Sequence, residues 1–261
     1  MTLGVSMWSY VHAWRAGNFG IADFIRAAQE TGVESVELLD FFYRNPQDPW
    51  SDSATPALIA AGRSEAHAAL RETGLKVAVF SVANDFAKAD PAEREGELAK
   101  IAFGIAEAQE YEANIVRVFA GDVKPGVSFH EARSWIVEGL TAASRLAEGA
   151  GIRLALENHG SLAGQADQVY ALIQDVRAGS GTDALGANPD TGNFLVVDAD
   201  PVASVRKLAP LATMVHFKDF ARVGQEEESY RSVSGQGLAG RAVGEGDVDL
   251  AGCVAALRAG G

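Results

Sequence analysis

Three polar residues interrupt three apolar runs. Glu157 closes "LALE", Asp190 lies in "NPDTGN", and His216 stands within "TMVHFKDF". Two carboxylates and an imidazole are hard or borderline ligands, and together they suit one divalent cation such as Mn²⁺, Mg²⁺, Co²⁺ or Zn²⁺. No thiolate is at hand for a softer site, because the sole cysteine is Cys253. Each residue alone has a plainer reading. A strand-end His is often only a hydrogen-bonding group, and Asp190 stands among the Asn, Asp and Gly that build turns. Their arrival at the ends of successive strands is what points to a shared ion.

Around these three stand further polar groups. His159 shares the side of Glu157 by the period of two along a strand, whereas Asn158 points the other way and fixes the loop. His159 either touches a substrate or hydrogen-bonds within the rim. Arg117, in "VRVFAG", carries a guanidinium whose unpaired burial is costly, so a carboxylate, a sugar or a phosphate should meet it. Lys218 follows His216 by two residues and shares its direction. Glu37, in "SVELLD", points inward and is a simple partner for Arg117. Trp8, Asn84 and Asp85 close strands one and three and are unspecific pocket residues. His12, His67 and His130 read as structural.

Short apolar runs alternate with helical stretches along the chain. Strands are expected at "LGVSMWSY", "SVELLD", "KVAVFSV", "NIVRVFAG", "RLALENH", within "LGANPDTGN", which holds the sixth strand and its loop, and at "TMVHFKDF". Helix starts are marked at Thr55-Pro56, at Asp90-Pro91 with Glu93, at Ser128 with Glu131, and at Asp200-Pro201. A last helix is expected from about Asp249 to Arg258. Seven βα units without a composition break favour a parallel sheet. No Gly-rich dinucleotide fingerprint follows the first strand, and polar residues gather at strand ends, so a TIM (β/α)8-type barrel is expected over an open sheet. Its eighth strand would lie beyond Gly261: either the chain is longer, or the barrel closes imperfectly. Residues 221–244 show little periodicity and read as a solvated loop or as a lid with Arg231 or Arg241 facing a substrate.

A length of 261 residues suits one such barrel domain over 1–261, and 48% hydrophobic against 22% charged residues is the composition of a packed globular protein. A net charge of -13 is a poor footprint for nucleic acid. The N-terminus lacks the pattern of a signal peptide, no apolar run reaches membrane-span length, and a cytoplasmic location is the default.

"LALENHG", "NPDTGN", "VHFKD" and "GEGDVD", in this order over essentially the whole chain, resemble the sugar phosphate isomerase/epimerase family with its xylose isomerase-like barrel. Ketose 3-epimerases, hydroxypyruvate isomerase and inosose dehydratase belong to it. The resemblance implies that Glu157, Asp190 and His216 bind one divalent ion, Mn²⁺ first among the candidates, and that Glu157 also moves a proton. It implies a fourth ligand, a Glu on the eighth strand, that this sequence lacks; Glu245 of "GEGDVD" is not its equivalent. Asn193 stands where ketose epimerases of the family carry a substrate-contacting His. The implied substrate is a small sugar, bound near Arg117, His159, Asn193, Lys218, Glu37 and Trp8, and barrels of this kind often form homodimers.

The chemistry that follows is proton abstraction beside a carbonyl, through a metal-stabilised enediolate, in an isomerase or epimerase. A dehydratase would use the same enolate logic, and a non-catalytic sugar-binding paralogue is the third reading. A nuclease of the same barrel needs more histidine ligands than the five His of this chain supply.

Overall fold

A computed structural model describes residues 2–46 and 54–260. Two compact units emerge: one of the residues up to Ala83 with Lys100–Val116, the other of Asn84–Ala99 with the residues from Arg117 on.

In the first unit, β1 (Gly4–Ser6), β2 (Ser35–Leu39) and β3 (Lys76–Ser81) are parallel, with Gly4 opposite Ser35 and Ser35 opposite Lys76. Every residue of β2 is buried, as expected of a strand covered on both faces. The strand expected from Leu3 to Tyr10 stops early. The Ser6 hydroxyl accepts the N–H of Trp8 at 3.3 Å and caps a 3₁₀ turn over Met7–Tyr10, which leads into α1 (Val11–Arg15). α2 (Ile21–Glu30) buries Ile21, Phe24, Ile25 and Ala28, a single stripe at helical spacing. α3 (Pro56–Thr73) begins where Thr55 accepts the N–H of Leu58 and ends at Gly74, whose φ of 73° is a left-handed cap.

α4 (Pro91–Glu110) carries Glu107, which is fully buried. The Arg63 guanidinium and the Tyr43 hydroxyl, the latter at 2.8 Å, both donate to it. This first-unit network is a paired buried charge.

The second unit holds Arg117 and Val118 of β4 (Ile115–Val118), then α5 (Phe129–Ala150), β5 (Arg153–Glu157), α6 (Ala166–Ser180) and β6 (Leu185–Asn188). β5 and β6 are parallel, with Leu154 opposite Leu185 and Glu157 opposite Asn188. The capping box at Ser128 and Glu131 is complete: Ser128 Oγ accepts the Glu131 N–H, and Glu131 accepts the Ser128 N–H at 2.8 Å. Then come α7 (Asn193–Val196) and α8 (Pro201–Leu208), the latter capped by Asp200 on the Ala203 N–H at 2.7 Å.

The expected seventh strand is only partly formed. Ala212 and His216 make isolated parallel bridges to Ala187 and Asp190. Pro189 lies between those two partners and has no N–H to give, which interrupts the ladder. The segment still comes close, since a Cβ on Gly186 would lie 2.1 Å from Thr213 Oγ1.

Residues 221–244 are not a plain loop either. β7 (Asp219–Val223), β8 (Tyr230–Arg231) and β9 (Gly237–Arg241) form an antiparallel sheet in the order β7-β9-β8. Phe220, Leu238 and Ala239 supply its buried face. Arg231 pairs with Glu228, and Arg241 with Glu227 at 3.4 Å. α9 (Leu250–Gly260) follows. No described helix is long and apolar enough to cross a membrane.

Candidate metal centre

β5 ends in Glu157, which is 4% exposed. Its Oε1 accepts from Asn193 Nδ2 at 3.2 Å and lies 3.1 Å from His159 Nδ1. Its Oε2 accepts from Asn188 Nδ2 at 3.2 Å and lies 3.2 Å from His216 Nδ1 and 3.4 Å from Arg117 Nε. Burial alone would push this carboxyl up. The charge of His216, hydrogen bonds from His159 and His216, and the charge of Arg117 outweigh burial and hold it well below the usual carboxylate range.

Asp190, two residues past β6, is set by the loop around it. Asn158 grips its backbone twice: Asn158 Oδ1 accepts the Asp190 N–H at 2.7 Å, and Asn158 Nδ2 donates to the Asp190 carbonyl at 3.1 Å. This is the loop-fixing role expected of Asn158. Asp190 Oδ1 accepts the N–H groups of Gly192 and Asn193 at 3.0 and 2.9 Å. Here burial wins and raises the carboxyl; Lys218 opposes it, and the neighbouring charge of Glu157 reinforces it.

His216 is held beside Asp190 by backbone bonds. Its N–H donates to the Pro189 carbonyl at 3.1 Å, and its carbonyl accepts the Thr191 N–H at 3.0 Å. Glu157, Asp190 and His216 each offer one ligand atom, and these atoms lie within 4.8 Å of one another. Metal–ligand bonds of about 2.0–2.2 Å place donors around one ion within about 4.4 Å of each other. Shifts of a few tenths of an ångström would therefore close the set. The donor chemistry fits too: a buried carboxyl whose ionisation is opposed by burial and by a neighbouring carboxylate is the environment a cation relieves.

The other expected residues divide between the units. Arg117, His159, Asn193 and Lys218 stand in the second unit with the triad. Arg117 meets Glu157 and lies 3.9 Å from the Phe119 ring centroid, and the same ring lies tilted against His159 with centroids 4.3 Å apart. Asn193 opens α7 instead of lying in a loop, and it joins Glu157 to Lys218, whose Nζ donates to Asn193 Oδ1 at 3.0 Å. Glu37 and Trp8 belong to the first unit. Glu37 accepts from the Ser81 hydroxyl, and the 41% exposed Trp8 packs edge-on against Phe41. Asn84 clamps the backbone of Phe119 in both directions, at 2.7 and 2.9 Å, and Asp85 pairs with Lys124, so both order loops.

Sequence reasoning passed over Asn188. It is fully buried, and its amide lies between Glu157 Oε2 and His216 Nδ1, 3.1 Å from the latter. The period of two that pairs it with Asp190 was the available signal. Asp219 was also missed. Its carboxylate accepts the N–H groups of Gly244, Gly246 and Val248 at 3.0, 2.9 and 3.2 Å. "VHFKD" and "GEGDVD" are therefore joined structurally, and Glu245 is exposed.

A profile of the xylose isomerase-like TIM barrel matches residues 25–261. The chain belongs to that family. No curated protein matches it by sequence. Among solved structures it resembles a xylose isomerase-like TIM barrel protein from Mycobacterium smegmatis in complex with magnesium, at 20% identity and a TM-score of 0.68, covering 99% of this chain and 87% of that one. It also resembles the probable 3-DHS dehydratase AsbF, involved in petrobactin synthesis, from Bacillus anthracis, at 20% identity and a TM-score of 0.70, covering 99% and 89%. A D-tagatose 3-epimerase-like protein shares 18% identity at a TM-score of 0.70, covering 99% and 86%. At these identities the likeness is one of fold.

Proposed function

We propose that the chain is a divalent-metal-dependent isomerase or epimerase acting on a sugar or sugar derivative. The observation that carries this reading is the convergence of ligand atoms from Glu157, Asp190 and His216 within 4.8 Å, beside the polar groups of Arg117, His159 and Lys218. Those three residues would hold the ion. Once bound, the ion supplies Lewis-acid pull on neighbouring carbonyl and hydroxyl oxygens of the substrate. The magnesium in the M. smegmatis protein supports the metal, and the epimerase-like neighbour supports the reaction class.

Glu157 is the group assigned to take the proton from the carbon next to the carbonyl. His216 and Arg117 keep it ionised, and a base must be ionised to act. His159 Nδ1 beside Oε1 and Asn193 on the same oxygen fix the carboxylate plane. Arg117 and Lys218 line the site for substrate oxygens.

Solvent deuterium exchange tests the reading. With Mn²⁺, a panel of ketoses and inososes is incubated in D₂O and followed by proton NMR. Metal-dependent loss of one C–H signal without net elimination is the expected result, and Glu157→Gln should abolish it. Loss of water from the substrate would mark a dehydratase instead. Tight Mn²⁺ binding with no exchange on any member would mark a binding protein and end the catalytic assignment.

A further inference from the structure

We propose that the hairpin of β8 and β9 is a strap beside the metal centre, held shut on α7 with Asp198 as its catch, and that the bound ion tightens it. The inference rests on the metal centre of the reading above but on none of its chemistry.

α7 is a single turn of four residues, and it is engaged at both ends. At its start, the N–H groups of Gly192 and Asn193 end on Asp190 Oδ1, and Asn193 Nδ2 donates to Glu157 Oε1. At its far end, the Val196 carbonyl accepts the Val233 N–H at 2.9 Å. Two residues on, one oxygen of the Asp198 carboxylate accepts the Ser234 N–H at 2.8 Å, and the other accepts the Ser234 hydroxyl at 3.0 Å. Val233 and Ser234 lie in the turn between β8 and β9. One turn of helix therefore separates two metal ligands from the tip of the hairpin. Asp198 holds a φ of 53°, and among the described residues only Glu112 is a second non-glycine residue with a positive value. Glycine would take that backbone more easily, so the case for aspartate is its side chain. Hydrogen bonds from Ser232 and Ser234 hold its carboxyl below the usual range, and the catch is charged at neutral pH.

The hairpin is tied to itself as well. Arg231 pairs with Glu228 and Arg241 with Glu227, so neither arginine is what the hairpin offers the site. The N–H groups of Ser229 and Ser232 close on the carbonyls of Leu238 and Gln236, each at 2.9 Å. The hairpin can therefore swing as one body when the catch opens. Shut, it keeps the Tyr230 ring centroid 5.2 Å from that of Phe220 and 5.7 Å from Lys218 Nζ. Lys218 leads through Asn193 to Glu157, which puts this ring beside the metal centre. An ion that draws Glu157 and Asp190 together fixes Gly192 and Asn193 with them. A stiffer α7 then presents Val196 and Asp198 in the one arrangement that the turn fits, and the ordering is shared between ion and strap.

Hydrogen exchange read on peptides by mass spectrometry decides, with Mn²⁺ alone as the probe and its binding checked by calorimetry on the same samples. Saturating Mn²⁺ should slow exchange across 229–236 by about fivefold, the low end of coupling between two sites. Asp198→Gly loses the catch without straining the backbone. In that variant 229–236 should exchange about tenfold faster without metal, the size of one bond to a charged group. Mn²⁺ should no longer slow the strap there, although it still protects 190–193. Bound Mn²⁺ that leaves 229–236 unslowed in the wild type overturns the inference and leaves the metal centre standing. Slowing that persists undiminished in Asp198→Gly overturns it too, because the ion would then act on the whole unit and not through the catch. A chain that binds no Mn²⁺ sinks the inference together with the metal centre. If circular dichroism shows Asp198→Gly unfolded, Ser234→Ala takes its place, and the same outcomes decide.

Discussion

Glu157 is surrounded on both oxygens by groups that favour its charge, and Asp190, a few ångströms away, is not. This asymmetry has consequences for single substitutions. Asn188 touches both Glu157 and His216, so Asn188→Ala should lower Mn²⁺ affinity by about 10–100-fold, the usual effect of losing an outer partner of metal ligands. His216→Ala removes a ligand and should cost more. Calorimetric titration reads both, and unchanged affinity in His216→Ala would sink the ligand assignment. Asp190→Asn should act in the opposite sense on stability. Its folded carboxyl is raised, so ionisation as pH climbs through that raised value weakens the fold. Asparagine drops this charge yet keeps an oxygen for the Gly192 and Asn193 N–H groups. In chelator at neutral pH the variant should melt above the wild type, and the gap should close as acid protonates Asp190. Added Mn²⁺ should raise the melting temperature of the wild type only. The clustering of the triad was legible in the sequence because its members fall at the ends of successive apolar runs, although each residue alone has a plainer use. Asn188 was not, since an amide announces no chemistry until its neighbours are placed.

Elements were legible where a local rule decides them. Thr55, Ser128 and Asp200 each cap the helix that their side chains mark, because capping involves residues only a turn apart. The sheet of β7, β8 and β9 was hidden. Its partners lie up to 22 residues apart, as Asp219 and Arg241 do, and Gly, Ser and Glu dilute any alternation along it. The seventh strand was overread for a related reason: its sequence is apolar enough, but Pro189 on the neighbouring segment withholds a donor. Asp219 ties this region together by accepting three N–H groups from residues 244–248. Asp219→Ala would strip these three N–H groups of their acceptor, of which only that of Val248 is buried, at a cost of about 1–3 kcal/mol. Gly246→Ala attacks the same joint, since its Cβ would lie 2.2 Å from Asp219 Oδ1, and overpacking of this kind costs about 1–3 kcal/mol. Urea unfolding measures both, and losses below about 0.5 kcal/mol, the range of ordinary surface changes, would show that the loop is not anchored this way.

At the scale of the molecule, the three candidate metal ligands all come from the second unit, whereas the Glu107 network belongs to the first. An ion that binds only the folded site stabilises whatever opening would release it, by about 2.7 kcal/mol at one hundred times its dissociation constant. The site carries its own reporters. The Asp190 N–H is held by Asn158, that of Thr191 by the His216 carbonyl, and those of Gly192 and Asn193 by Asp190. Mn²⁺ at that excess should slow hydrogen exchange at these four amides by about 100-fold where exchange requires opening of the site. The N–H of Arg44, held by the Phe41 carbonyl in the first unit, reports no ligand and should exchange at its metal-free rate if it opens without disturbing the site. Exchange read by quenched-peptide mass spectrometry, with and without Mn²⁺, makes the comparison. Slowing centred on 190–193 would locate the ion at this triad, slowing centred elsewhere would move it, and none at all would mean that the three ligand atoms do not hold an ion in solution.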